Sequence, residues 1–185
     1  MSDKIQEIAS ELKLSLRQFE NFPAEGILFE DFLPIFSKPE LFRKLVEAFQ
    51  LHLKGSEVDY IVGLESRGFL FGPALALALN AGFIPVRKPG KLPGPTLKAS
   101  FQKEYGSDLF EIQEGVIPDG AKVIVVDDIL ATGGSASAAG ELVSKSKGKV
   151  VQYLFVMELD FLKGRDKLDA SVFTLLSGHL EKLAQ

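Results

Sequence analysis

Five short apolar runs limit how this chain can fold: Tyr60–Leu64, Phe83–Val86, Val123–Val126, Val150–Val156 and Val172–Leu176. A strand with one face in water alternates apolar and polar residues, whereas a strand covered on both faces reads as an almost unbroken apolar run. Helical stretches lie between the runs: a very apolar one, Phe69–Leu79, and one of small residues beginning near Ser135. Strand and helix in alternation predict an α/β fold, a mainly parallel sheet with helices on both faces. Leu142 and Val143 give the second helix its buried side, and Lys145 and Lys147 near its end suit the helix dipole.

Upstream, Ser37-Lys38-Pro39-Glu40 reads as a helix start, with Ser and Glu at capping-box spacing and proline in the first turn. Leu41, Phe42, Leu45, Val46, Phe49 and Leu53 follow at helical spacing, and Gly55 is the expected stop. The opening residues predict an amphipathic helix with Ile5, Ile8, Leu12, Leu16 and Phe19 on one side. They carry acids and no apolar core, so no secretory signal is expected. Neither a repeat nor a linker divides the 185 residues, which predicts a single domain over 1–185.

Composition narrows the function classes. A net charge of −4 leaves no basic footprint for nucleic acid. No apolar run reaches the roughly 18 residues of a membrane span. The chain has no cysteine, which removes disulfides, thiolate catalysis and cysteine metal sites, and is compatible with a cytoplasmic protein. With only His52 and His179, a multi-histidine metal site is not expected either.

One segment departs from the strand–helix pattern. PGKLPGPT (Pro89–Thr96) and the following LKASFQKEYGSDLFEI separate two core strands. The first half, rich in proline and glycine, cannot form a helix or a central strand. The second half alternates enough for a hairpin. Long excursions of this kind are either lids or ordinary surface loops, and composition leaves both open.

The chemistry concentrates in VIVVDDILATGGSASAAG, Val123 to Gly140. Ligands of open parallel sheets bind beyond the carboxyl ends of the strands, so Asp127 and Asp128 are expected at that edge, outside the dry core. Ala131–Ser135 then forms the turn into the next helix. Gly133 and Gly134 let the backbone approach a ligand, Thr132 and Ser135 add hydroxyls, and the helix N-terminus adds partial positive charge. Such a turn suits a phosphate. Ionised carboxylates only accept hydrogen bonds, so Asp127 and Asp128 call for hydroxyls instead. A ribose 5-phosphate satisfies both halves. A Walker loop would need a lysine after the glycines, and a dinucleotide fingerprint needs G-x-G-x-x-G; neither is present. The remaining alternative is a pair of capped carboxylates and a glycine turn without function.

These residues resemble the phosphoribosyl pyrophosphate (PRPP) signature of the type I phosphoribosyltransferases. Four further segments narrow the resemblance: FPAEGILFEDFLPIF (Phe22–Phe36), DYIVGLESRGFLFGPALA (Asp59–Ala76), RKPGKLPGPT (Arg87–Thr96) and KEYGSDLFEIQ (Lys103–Gln113). Together they are similar to the adenine phosphoribosyltransferase family, especially its fungal branch. The resemblance implies the reaction adenine + PRPP → AMP + pyrophosphate in purine salvage, with Mg2+ held mainly through PRPP and water and no side-chain metal ligand. It also implies a cytoplasmic homodimer that uses neither nucleic acid nor membrane. Residues 1–36 correspond to an N-terminal helix and base-binding hood, and 88–110 to a lid.

By the same resemblance Ala131, Thr132, Gly133, Gly134 and Ser135 hold the 5-phosphate, while Asp127 and Asp128 face the ribose hydroxyls. Glu65-Ser66-Arg67-Gly68 matches the pyrophosphate loop, where a cis peptide before the serine is usual and Arg67 pairs with pyrophosphate. Arg87, Lys88 and Lys91 match PRPP contacts made from the neighbouring subunit, with Tyr105 as a further loop contact. Glu104 is the implied acid–base group, serving the proton at adenine N7. Leu28 matches a position whose backbone reads the adenine edge. Glu30 stands where many animal members carry arginine, so a side-chain role for it is not carried over. A phosphoribosyltransferase for another purine base and an inactive or regulatory PRPP-binding paralogue remain as alternatives.

Overall fold

A computed structural model describes residues 2–22, 25, 28–102 and 107–178. Its centre is a sheet of five strands, β3 (Tyr60–Leu64), β4 (Gly82–Val86), β7 (Lys122–Leu130), β8 (Lys149–Leu159) and β9 (Ser171–Gly178). They lie in the order β4-β3-β7-β8-β9, and every neighbouring pair is parallel. Successive side chains of a strand point to opposite faces. Ile124 and Val126 therefore join one core cluster with α1 (Asp3–Leu14), α3 (Pro39–His52) and α4 (Gly72–Leu79). Val123 and Val125 join the other, beneath α5 (Gly134–Lys145). Both faces are covered, which is why the strands read as continuous apolar runs.

Several local expectations shift. α1 stops at Leu14, and Phe19 lies in β1 (Arg17–Glu20), 46% exposed and paired antiparallel with β2 (Leu28–Asp31). Ile5, Ile8 and Leu12 are buried as the helical spacing requires. Ser37 is not a cap: it closes the short helix α2 (Leu33–Ser37), and its hydroxyl donates to the Pro34 carbonyl at 2.9 Å. α3 starts on Lys38 with no side-chain cap and proline in its first turn. Phe69–Leu79 is not one helix. A 3₁₀ turn covers Arg67–Phe69, and α4 begins at Gly72, where an added Cβ would stand 2.7 Å from the Phe83 ring.

The excursion after β4 forms the antiparallel hairpin β5 (Thr96–Gln102) and β6 (Ser107–Gln113), paired over its whole length. The Pro–Gly stretch before it is fastened to β6. The Gly90 N–H donates to Glu111 Oε2 at 3.1 Å, Gln113 Nε2 to the Pro93 carbonyl at 3.0 Å, and the Glu114 N–H to the Pro95 carbonyl at 3.0 Å. Of the four sequence candidates within the 88–110 lid stretch, Glu104 and Tyr105 lie outside the described residues. No helix among the described residues is long and apolar enough to cross a membrane.

Candidate active site

β7 does not end before its acids. Pairing with β8 continues through Asp127↔Phe155 and Leu130↔Glu158, so both carboxylates stand on the strand itself. Asp128 is only 3% exposed and Asp127 is half-buried. Burial, and then the charge of Asp128, push the Asp127 carboxyl well above the usual carboxylate range. Burial also raises Asp128, against the pull of the Arg67 guanidinium. The pair therefore holds a proton to higher pH than two solvated aspartates would.

Arg67 is brought to this strand by the loop after β3, where the Glu65–Ser66 peptide bond is cis. Its Nε lies 2.8 Å from Asp128 Oδ2, yet that buried oxygen accepts no hydrogen bond from the described residues. The contact is an ion pair off hydrogen-bond alignment, and a buried acceptor left unmade costs about 1–3 kcal/mol. Gly68 lets the loop lie against β7, since a Cβ there would stand 2.6 Å from the Val126 carbonyl.

Beyond the acids the chain turns through Ala131 and Thr132 to Gly133, whose φ of +78° opens α5. The resulting cavity of about 310 Å³ is lined by Arg67, Asp127, Asp128, Thr132, Gly134 and Ser135 among others. Ala131 and Gly133 line it too, so all the sequence-predicted phosphate-loop residues meet there. A second cavity of about 460 Å³ is lined mainly by Phe19, Phe22, Phe29, Phe32 and Leu33. Arg67 borders both, with its guanidinium 5.9 Å from the Phe32 ring centre. Leu28 opens β2 beside Phe29 and is not among the residues lining this cavity, while Glu30 reaches across the ribbon to Gln18 at 3.5 Å. The aromatic cavity was not anticipated. Its phenylalanines come from β1, β2 and the turns beside them, and the β1–β2 ribbon folds them together beside Arg67.

Ser66 is exposed beside the cis bond. Arg87, Lys88 and Lys91 do not line the phosphate-side cavity; they converge on Glu65, whose side chain is 11% exposed. Arg87 Nε donates to Glu65 at 3.3 Å, the Lys88 N–H at 2.9 Å, and the Lys91 ammonium pairs with the other oxygen. Burial works against ionisation of Glu65, but the Lys91 ammonium, the Lys88 amide and Arg87 outweigh it and hold the carboxyl at about 2. A depressed carboxyl stabilises the fold above its unfolded value near 4.5, and that stability is lost as pH falls toward 2. Glu65→Gln is thus expected to be less stable than the parent at pH 7, with the gap closing between pH 4.5 and 2. Urea unfolding at a series of pH values checks this, and a gap independent of pH would contradict it.

The comparisons with known proteins agree with this geometry. The family described as phosphoribosyl transferase domain matches residues 38–178. An adenine phosphoribosyltransferase of Candida albicans is 71% identical over the whole of both chains. The crystal structure of the Saccharomyces cerevisiae enzyme, complexed with an imino-altritol bisphosphate and adenine, superposes with a TM-score of 0.89 at 67% identity, covering 92% of this chain and 99% of that one. A Trypanosoma brucei adenine phosphoribosyltransferase in complex with AMP, pyrophosphate and ribose-5-phosphate gives 0.84 at 26% identity, covering 92% and 79%. Cavity, sheet and sequence point the same way, and the chain belongs to the adenine phosphoribosyltransferase family of type I phosphoribosyltransferases.

Proposed function

We propose that this chain transfers the 5-phosphoribosyl group of PRPP to adenine, releasing AMP and pyrophosphate in purine salvage. One observation carries the reading: Arg67 stands between a polar cavity at the start of α5 and an aromatic cavity whose phenylalanines suit a flat base. A nucleotide has the same two halves. Ala131–Ser135 receives the 5-phosphate on backbone N–H groups and the hydroxyls of Thr132 and Ser135. Asp127 and Asp128 accept from the ribose hydroxyls, and Asp128 Oδ2 has an acceptor site in reserve. Adenine lies among the phenylalanines of the second cavity. Arg67 turns to the pyrophosphate, whose paired oxygens match a guanidinium fork.

His52 lines neither cavity and the chain has no cysteine. These residues therefore favour displacement over a covalent enzyme intermediate. Adenine N9 attacks the anomeric carbon as the C–O bond to pyrophosphate breaks, the pair of electrons leaves with pyrophosphate, and the proton at N7 passes to Glu104. The protein aligns the two reactants and stabilises the departing charge. Among the described residues no cluster of three or more histidine or carboxylate side chains gathers to hold a metal. A hard cation would therefore be held mainly by PRPP and water, with no side-chain ligand, near the acceptor oxygens of Asp127 and Asp128. Mg2+ bound in that way would supply Lewis-acid neutralisation of the pyrophosphate.

A homodimer is supported by α4, which is apolar all round and leaves Leu77 83% exposed, with Leu70 nearby at 40%. The basic group Arg87, Lys88 and Lys91 would then serve the neighbouring subunit's PRPP. A cysteine-free chain is consistent with a cytoplasmic setting.

The test is an assay with labelled adenine, hypoxanthine, guanine and orotate, each with PRPP and Mg2+. AMP from adenine alone, lost on chelation, is expected. Turnover of another base moves the specificity, and no product with any base leaves a binding protein. Sedimentation of the same preparation should give twice the chain mass; a monomer would remove the shared-site reading.

A further inference from the structure

The phosphate loop packs against a turn that no motif marks. After β8 the chain makes two 3₁₀ turns, Asp160–Leu162 and Gly164–Lys167, joined by Lys163 at φ +50°. This brings the buried Gly164 against the phosphate loop, backbone to backbone. A Cβ on Gly164 would stand 2.1 Å from the Ala131 carbonyl oxygen and 2.9 Å from the Gly133 nitrogen. A Cβ on Gly133 would stand 2.2 Å from the Gly164 carbonyl oxygen. None of these three distances is accessible to real atoms, so the two glycines fit only each other.

The turn is tied to the rigid end of the sheet. Arg165 Nε donates to Glu158 Oε1 at 2.8 Å, and a second guanidinium nitrogen reaches Oε2. Glu158, on β8, is 2% exposed, and from β9 the Thr174 hydroxyl donates to it at 3.3 Å. A bidentate fork of this kind fixes orientation as well as distance. The Arg165 guanidinium also keeps the Glu158 carboxyl below its ordinary range, so the pair is ionised at neutral pH.

We propose that Gly164, held by the Glu158–Arg165 pair, is a positioning residue for the phosphate loop: its backbone sets the curvature of Ala131–Gly133 and with it the hold on the 5-phosphate. This rests on the nucleotide reading above and adds a residue to that site. A methyl group on Gly164 must displace the loop or be displaced by it. The loop's N–H groups then lose alignment with the phosphate while the base cavity is left alone.

The test compares AMP with adenosine, which lacks the phosphate, by calorimetry on the full chain. Gly164→Ala is expected to weaken AMP by about 10–100-fold, the scale of one or two misaligned hydrogen bonds to a charged group. Adenosine should change less than about twofold. KM for PRPP should rise with AMP's Kd, and KM for adenine should stay. Glu158→Gln keeps the side chain's shape, removes its charge, and should weaken AMP in the same direction by about 3–10-fold. Should Gly164→Ala not fold, Glu158→Gln decides alone. An unchanged AMP Kd, or equal losses for AMP and adenosine, overturns the proposal. Failure of the parent chain to bind AMP would overturn the nucleotide reading instead.

Discussion

Arg67→Ala is expected to lower kcat/KM for PRPP by about 10²–10³-fold, the usual cost of deleting one preorganised group that meets developing charge. The side chain borders both cavities and contacts Asp128 at 2.8 Å, so its loss has two separable effects. Pyrophosphate affinity falls, which calorimetry reads directly; unchanged affinity in a folded variant would remove the pairing. The pH profile also moves. Burial raises Asp128, and Arg67 opposes that rise. Without the guanidinium the carboxyl climbs further and stays protonated to higher pH. The ionised form is the one that accepts ribose hydroxyls, so the acid limb of kcat/KM shifts upward. Arg67→Lys should return the charge, and with it the acid limb, but not the full affinity, because an ammonium cannot make the two-pronged contact.

The second large effect is expected at Glu104. Its replacement by alanine should cost about 10²–10⁴-fold in kcat with a modest change in KM for PRPP, the range for a general acid–base group. Glu104 falls in sequence between Gln102, the last residue of β5, and Ser107, the first of β6. The hairpin on either side is anchored by Phe101 and Phe110, which are buried with ring centres 4.9 Å apart. Glu104→Gln separates the two roles a carboxyl has there. It keeps a hydrogen bond but cannot carry the N7 proton, so it should be nearly as slow as the alanine variant. Turnover near the parent's rate in either variant would end the assignment.

The α/β class was legible because burial of both strand faces leaves a compositional trace that survives in one dimension. The same reasoning cut the central strand short at Val126. Side-chain polarity signals exposure, whereas the backbone ladder with β8 runs on to Leu130 beneath Asp127 and Asp128. Ser37 misled for a related reason: its hydroxyl could serve either neighbouring helix, and it bonds back into α2. Glu65 offered no signal at all. A glutamate between Leu64 and Ser66 gains its depressed ionisation only when Arg87, Lys88 and Lys91 fold onto it.

What the sequence alone determined is therefore local: buried strands, the glycine turn before α5, and a pairing of acids with a phosphate loop contiguous enough to point to a ribose phosphate. The tertiary structure decided everything that joins distant segments: Arg67 against the Phe19–Leu33 stretch and between the two cavities, and Gly164 against Gly133. The physical reason is one of range. Backbone conformation and burial follow from a residue and its neighbours in the chain. Contacts of a few ångströms between residues far apart in sequence exist only once packing has brought them together.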